Sequence, residues 1–154
     1  MLKIQNKSTK RIRVAQIVFF LIQIYLCTVP YIWGGVVIPG EKSNFTVFDM
    51  VSMIGATTGN AETEQMLNYL GVAFIAFIAL PVIAVGFQIF DRYYNLKNII
   101  SIICSILGVV LIIYFIGGYL CFGSMVALIL YLLTLFLSVM GIFARFLKIE
   151  NTAE

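Results

Sequence analysis

Gln16, Gln23, Gln88, Ser101 and Ser105 are the polar side chains whose type and spacing could do chemistry away from the charged segments. Gln16 and Gln23 lie seven residues apart and therefore share one helix face, with Phe20 and Cys27 in the same stripe. Ser101, Cys104, Ser105 and Gly108 recur at spacings of three and four, a ridge of small residues that lets another backbone approach closely. Amides and hydroxyls donate and accept hydrogen bonds but do not ionise near neutral pH. The chemistry expected of this set is therefore hydrogen bonding between helices. Its sharper version is a small polar pocket or pore lining, with Gln88 reaching the level of Gln16.

Other chemistry is poorly supplied. The sequence contains no histidine, which removes the commonest metal ligand and the usual general base together. Cys27, Cys104 and Cys121 show no metal-binding spacing and read as small packing residues; a disulfide between Cys27 and Cys121 is conceivable. Asp91 and Arg92 are adjacent, so on a helix they point apart and serve as an end anchor. No catalytic residue, metal ligand or cofactor is expected.

The elements that must position these residues follow from the distribution of charge. Asn98 to Ala144 is a run of 47 residues without Asp, Glu, Lys or Arg. One helix crosses about 30 Å of hydrocarbon with about 20 residues, so this run suits two crossings joined at its glycine-rich middle, Gly117 to Gly123. Hydrophobic residues make up 62% of the chain and charged ones 11%, far from the soluble norm of about 45–50% and about 25%. The spacing predicts an all-α integral membrane protein, a four-helix bundle forming one domain. Its helices are expected at 14–37, 66–90, 98–117 and 124–145. Between them lie an outer connection at 39–65, an inner loop at 91–97 and a tight outer turn at 118–123. The basic segment 1–13 and the tail 146–154 flank them. The 25-residue apolar run from Val14 to Ile38 is too long for a signal-peptide core and lacks a small-residue cleavage site, so a retained first helix is expected.

Nine of the ten Lys and Arg residues fall on the side that holds both termini and loop 91–97. The connection 39–65 carries Lys42 against Glu41, Asp49, Glu62 and Glu64. The positive-inside rule then places both termini in the cytoplasm. Within that connection, Thr46 and Asp49 have capping-box spacing, and Val47, Met50, Val51 and Ile54 form one apolar face. A short amphipathic helix at about 47–54 is expected, lying over the bundle mouth or on the membrane interface. Phe45, Phe48 and Met53 are left on other faces, as candidate contacts for a partner. Tyr25, Tyr31, Trp33 and Tyr119 read as an outer aromatic belt, and Tyr93 and Tyr94 as an inner one.

Pro30 and Pro81 leave the carbonyls of Leu26 and Phe77 without their usual helical donors. No ionisable group lies within the spans, which argues against a proton-coupled carrier or a voltage sensor. The order of elements, with termini inside, a longer first outer loop and a very short second one, resembles the claudin-like four-helix membrane proteins. That group's Trp and paired-Cys signature is absent from the first loop, so no residue role carries over. The membrane glutamate of the small multidrug exporters is absent too. The expected function is a non-enzymatic scaffold or accessory subunit that packs with other membrane proteins or with itself. The alternative is a transport or pore subunit lined by Gln16, Gln23, Gln88 and Ser101. The expected surroundings are a lipid bilayer, most simply a bacterial plasma membrane given the Ile-, Lys- and Asn-rich usage, with a membrane-protein partner or homo-oligomer and no nucleic acid.

Overall fold

A computed structural model describes the backbone of residues 7–34, 44–57, 59–90 and 96–150, and the side chains of these from 10 to 144. The chain is mostly helical. In order it forms α1 (Lys7–Leu26), β1 (Ile32–Trp33), β2 (Asn44–Phe45), α2 (Val47–Ser52), α3 (Ala61–Phe90), α4 (Leu96–Leu111), a π-helical turn (Ile112–Ile116) and α5 (Phe122–Glu150). Three segments are long and apolar enough to span a membrane: Ala61–Phe90, Leu96–Ile116 and Phe122–Ala144. The helix α1 is not one of them, because it begins among Lys7, Lys10, Arg11 and Arg13.

Contacts run from α1 to α3 and α5, and from α4 to the same two helices. The four long helices thus form a ring in the order α1, α3, α4, α5, with α1 and α4 on a diagonal. Each helix turns a seam toward the axis at seven-residue steps. Gln16 and Gln23 lie on α1, Gln88, Pro81 and Phe74 on α3, Ser101 and Gly108 on α4, and Ser138, Tyr131 and Ser124 on α5, all buried. A sustained seven-residue repeat is the packing period of a left-handed bundle. The outer faces are the reverse of a soluble protein's: Val72, Ile103, Ile113, Ile129 and Phe136 are exposed.

The first helix is shorter than expected. It ends at Leu26 rather than continuing to 37, because Pro30 has no N–H to donate and its ring obstructs the preceding turn. The chain tightens before that proline, with Cys27, Thr28 and Val29 donating to the carbonyls three residues back. It then runs extended. Ile32 and Trp33 pair antiparallel with Phe45 and Asn44, and Ile32 also bridges to Leu120 in the turn between the π-helix and α5. Gly123 lets this strand close on α5: its N–H donates to Pro30 O at 3.0 Å, and a Cβ there would lie 2.6 Å from that oxygen.

Over the same end, Thr46 caps α2 with a reciprocal bond to Asp49. Val47 buries fully, and α2 lies across α3 where Gly71 leaves room for Met50 and Ile54. Gly55, at φ +80°, turns the chain out of α2 and donates to Asn68 Oδ1 at 2.7 Å. The helix α3 starts at Ala61, five residues earlier than expected, because Asn60 Oδ1 accepts from the Glu62 N–H and so caps the polar first turn. The last helix runs on to Glu150, past the expected end at 145. Loop 91–95, with Tyr93 and Tyr94, lies outside the described residues.

Candidate functional site

The densest group of buried polar side chains forms a layer at the end of the bundle nearest the start of α1. Gln16 Nε2 donates to Ser138 Oγ at 2.7 Å, and Gln88 Nε2 donates to Gln16 Oε1 and to Ser101 Oγ, both at 2.9 Å. Four helices are joined by three bonds. Ser138 Oγ donates in turn to Thr134 O at 2.7 Å, and Thr134 Oγ1 donates to Leu130 O at 2.6 Å. Gln16, Gln88, Ser101 and Ser138 are all 0% exposed.

The backbone beside this layer is tied down by a cation. Arg13 Nε donates to Gln88 O at 2.6 Å and Arg13 Nη2 to Ile89 O at 2.8 Å. These are carbonyls of the last turn of α3, which have no intrahelical donors and carry the negative end of the helix dipole. Arg13 therefore caps α3 from α1 and fixes the register that brings Gln88 to Gln16. Asn98 is also buried here, against Gly141 of α5, where a Cβ would lie 3.1 Å from Asn98 Nδ2.

One heptad further along each helix the axis changes character. Gln23, Pro81, Gly108 and Tyr131 fall at a common depth, about 10 Å from the first layer. Gly108 is filled by the Tyr131 ring, since a Cβ on it would sit 2.6 and 2.7 Å from Cε1 and Cε2. Gln23 is 2% exposed, and neither its Nε2 nor its Oε1 has a hydrogen-bond partner among the described residues. Neither Pro81 nor Gly108 has a polar side chain to offer a glutamine, and the Tyr131 hydroxyl does not bond to it. Gln23 thus differs from Gln16, which is bonded to neighbouring helices. Ser105 Oγ and Gln88 Oε1 are likewise buried and unpartnered. Still further along, Cys27 Sγ lies 3.8 Å from Phe77 O, the carbonyl that Pro81 releases.

All six residues expected to pack helices or line a pocket (Gln16, Gln23, Gln88, Ser101, Ser105 and Gly108) are inside the bundle, but only Gln16, Gln88 and Ser101 are bonded together. The small-residue ridge of α4 is used within this chain, so it is not free to meet a second copy. Ser138 of α5 completes the layer by accepting from Gln16. Arg13 reads in the sequence only as one cation among five. Of the three proposed outer contacts, Phe48 is 49% exposed, whereas Phe45 and Met53 are half-buried. Tyr31 does not belong to the aromatic belt: it is buried, with its ring 5.5 Å from that of Phe77 and edge-on to it. Cys27, Cys104 and Cys121 are free thiols.

The chain matches no protein-family model, no curated protein and no solved structure.

Proposed function

We propose that this chain is a four-span integral membrane protein, with both termini in the cytoplasm, whose role is to pack with other membrane proteins or with itself as a scaffold or accessory subunit. One observation carries the reading: the hydrogen-bonding groups of four helices close on one another in a sealed layer, while Ile, Val, Leu and Phe cover the outside. Lipid is the solvent that favours such an inversion, because it does not penalise exposed apolar side chains and supplies no partner to exposed amides. The helix α1 and the extended residues after it make up the first crossing, since Tyr31 and Cys27 continue its buried face beyond the last helical turn. The sealed layer also speaks against a pore within one copy. The buried groups are amides, hydroxyls and thiols, which lack the acid–base pair a hydrolytic or transfer reaction needs.

The second reading, an oligomeric transport subunit, has one observation in its favour: the unpartnered Gln23 and Ser105 leave polar groups on the bundle axis. A flux assay separates the two. Purified protein in liposomes is expected to pass ions and small neutral solutes no faster than empty liposomes. Flux above that background that disappears in Gln16→Leu would overturn the packing role and establish transport.

A further inference from the structure

The outward face of α1 changes within one helical turn from free cations to bare apolar side chains. The helix begins with Lys7, Lys10, Arg11 and Arg13, and the chain has no Asp or Glu before Glu41. Arg13 turns inward and is taken up by the end of α3. Lys10 and Arg11 are exposed, and neither has a hydrogen bond or ion pair among the described residues. We infer that this face of α1 binds a phospholipid whose head group carries a net negative charge. Its phosphate would lie between Lys10 and Arg11, with an acyl chain along the helix below them.

Angle, depth and charge agree on that ligand. At about 100° per residue, Lys10 and Arg11 stand roughly 40° and 60° to either side of Val14, while the buried Gln16, Phe20 and Gln23 point the other way. Both cations therefore flank the stripe that faces lipid. Val14, Val18, Leu21 and Ile22 are 51, 45, 50 and 38% exposed and continue this stripe for about 12 Å beyond the charges. One leaflet holds about 15 Å of hydrocarbon, half of the bilayer's 30 Å, so an acyl chain beneath a bound head would lie along the stripe. The charge around the site has one sign. Segments 1–13, 91–97 and 145–154 hold nine cations against Asp91, Glu150 and Glu154. An anionic head gains from that field, and a head with its own ammonium gains less.

Other occupants use only part of this face. A free phosphate or an acidic polypeptide would engage the cations and leave the stripe bare. A parallel second copy would cover the stripe but set Lys10 and Arg11 against their own kind. An anionic lipid uses both parts. The inference rests on the membrane placement proposed above and not on the sealed layer.

The test is native mass spectrometry of the detergent-purified full chain, offered equal amounts of phosphatidylglycerol, phosphatidylcholine and phosphatidylethanolamine. Phosphatidylglycerol should be retained roughly threefold or more over either zwitterionic lipid. The double variant Lys10→Gln/Arg11→Gln should lose that preference. Arg145→Gln/Lys148→Gln, which removes the same charge from the last turns of α5, should keep most of it. Trp33 fluorescence checks that both variants are folded. Equal retention of the three lipids by the wild type, an unchanged preference in Lys10→Gln/Arg11→Gln, or equal losses in the two double variants would overturn the assignment. Soluble glycerophosphate in excess should not displace the lipid; displacement would show that phosphate alone is recognised and would overturn the lipid as occupant. Sedimentation of the expressed chain with membranes reports on the membrane placement separately. A chain found in the soluble fraction would overturn both readings, while a membrane-bound chain without lipid preference would overturn this one alone.

Discussion

Replacing Gln88 by leucine tests the sealed layer most directly. Leucine has nearly the same volume, so the packing of α3 against α1 and α4 is kept while the two short bonds from Gln88 Nε2 to Gln16 Oε1 and to Ser101 Oγ are lost, with a longer one to Lys97 O at 3.5 Å. Interhelical hydrogen bonds within membranes average about 0.6 kcal/mol, with a maximum near 1.7. Two of them amount to roughly 1–3 kcal/mol. The orphaned acceptor on Gln16 raises the cost, and removal of the unpartnered Gln88 Oε1 lowers it. A net loss of about 1–2 kcal/mol is expected. Trp33 is the single tryptophan and sits in β1 against the α4–α5 turn, so its fluorescence reports tertiary unfolding during titration of the micelle-bound protein with a denaturing detergent. A double-mutant cycle with Gln16→Leu isolates the Gln16–Gln88 term, expected at about 0.6–1.7 kcal/mol. Gln23→Leu is the control. It removes a buried amide that bonds to nothing described, so it should be neutral or stabilising. A coupling energy indistinguishable from zero, together with equal losses for Gln23→Leu and Gln88→Leu, would refute the layer.

Three further outcomes can be measured. Gly108→Ala should cost about 1–3 kcal/mol in that unfolding assay, because the new methyl meets the ring of Tyr131, itself 1% exposed and unable to swing away. Gly86→Ala in α3 meets nothing within 4 Å and should gain up to about 1 kcal/mol from helix propensity. In a background with Cys27, Cys104 and Cys121 replaced by alanine, an impermeant thiol reagent applied to whole cells should label Ser43→Cys and spare Asn95→Cys; the reverse pattern would invert the orientation.

The sequence by itself determined the class of the protein. A charge-free run of 47 residues with glycines at its middle admits a helical hairpin, and α4, the π-helical turn and α5 form one. The capping spacing of Thr46 and Asp49 is local information, and the reciprocal bonds are present. Such signals are legible because they depend on neighbours along the chain. The buried seams were only half legible. A lipid-facing surface is as apolar as a packed one, so hydrophobic period says little about which face turns inward, and the rare amides and small residues carry the signal instead. Gln16, Gln88 and Ser101 could thus be named but not joined.

Joining them depends on how each helix is rotated and in what order the helices stand around the axis. Those choices come from contacts between distant segments: Arg13 on the end of α3, the Tyr131 ring in the gap at Gly108, and Pro30 O on Gly123. The same long-range geometry stranded Gln23. Its spacing from Gln16 put it on the buried face, but the heptad that set Gln88, Ser101 and Ser138 around Gln16 brought a proline, a glycine and a tyrosine whose hydroxyl does not bond to it to the level of Gln23. Which of two equally spaced glutamines finds partners is a property of the ring of helices, because a side chain's hydrogen-bond partners on neighbouring helices are distant in the sequence.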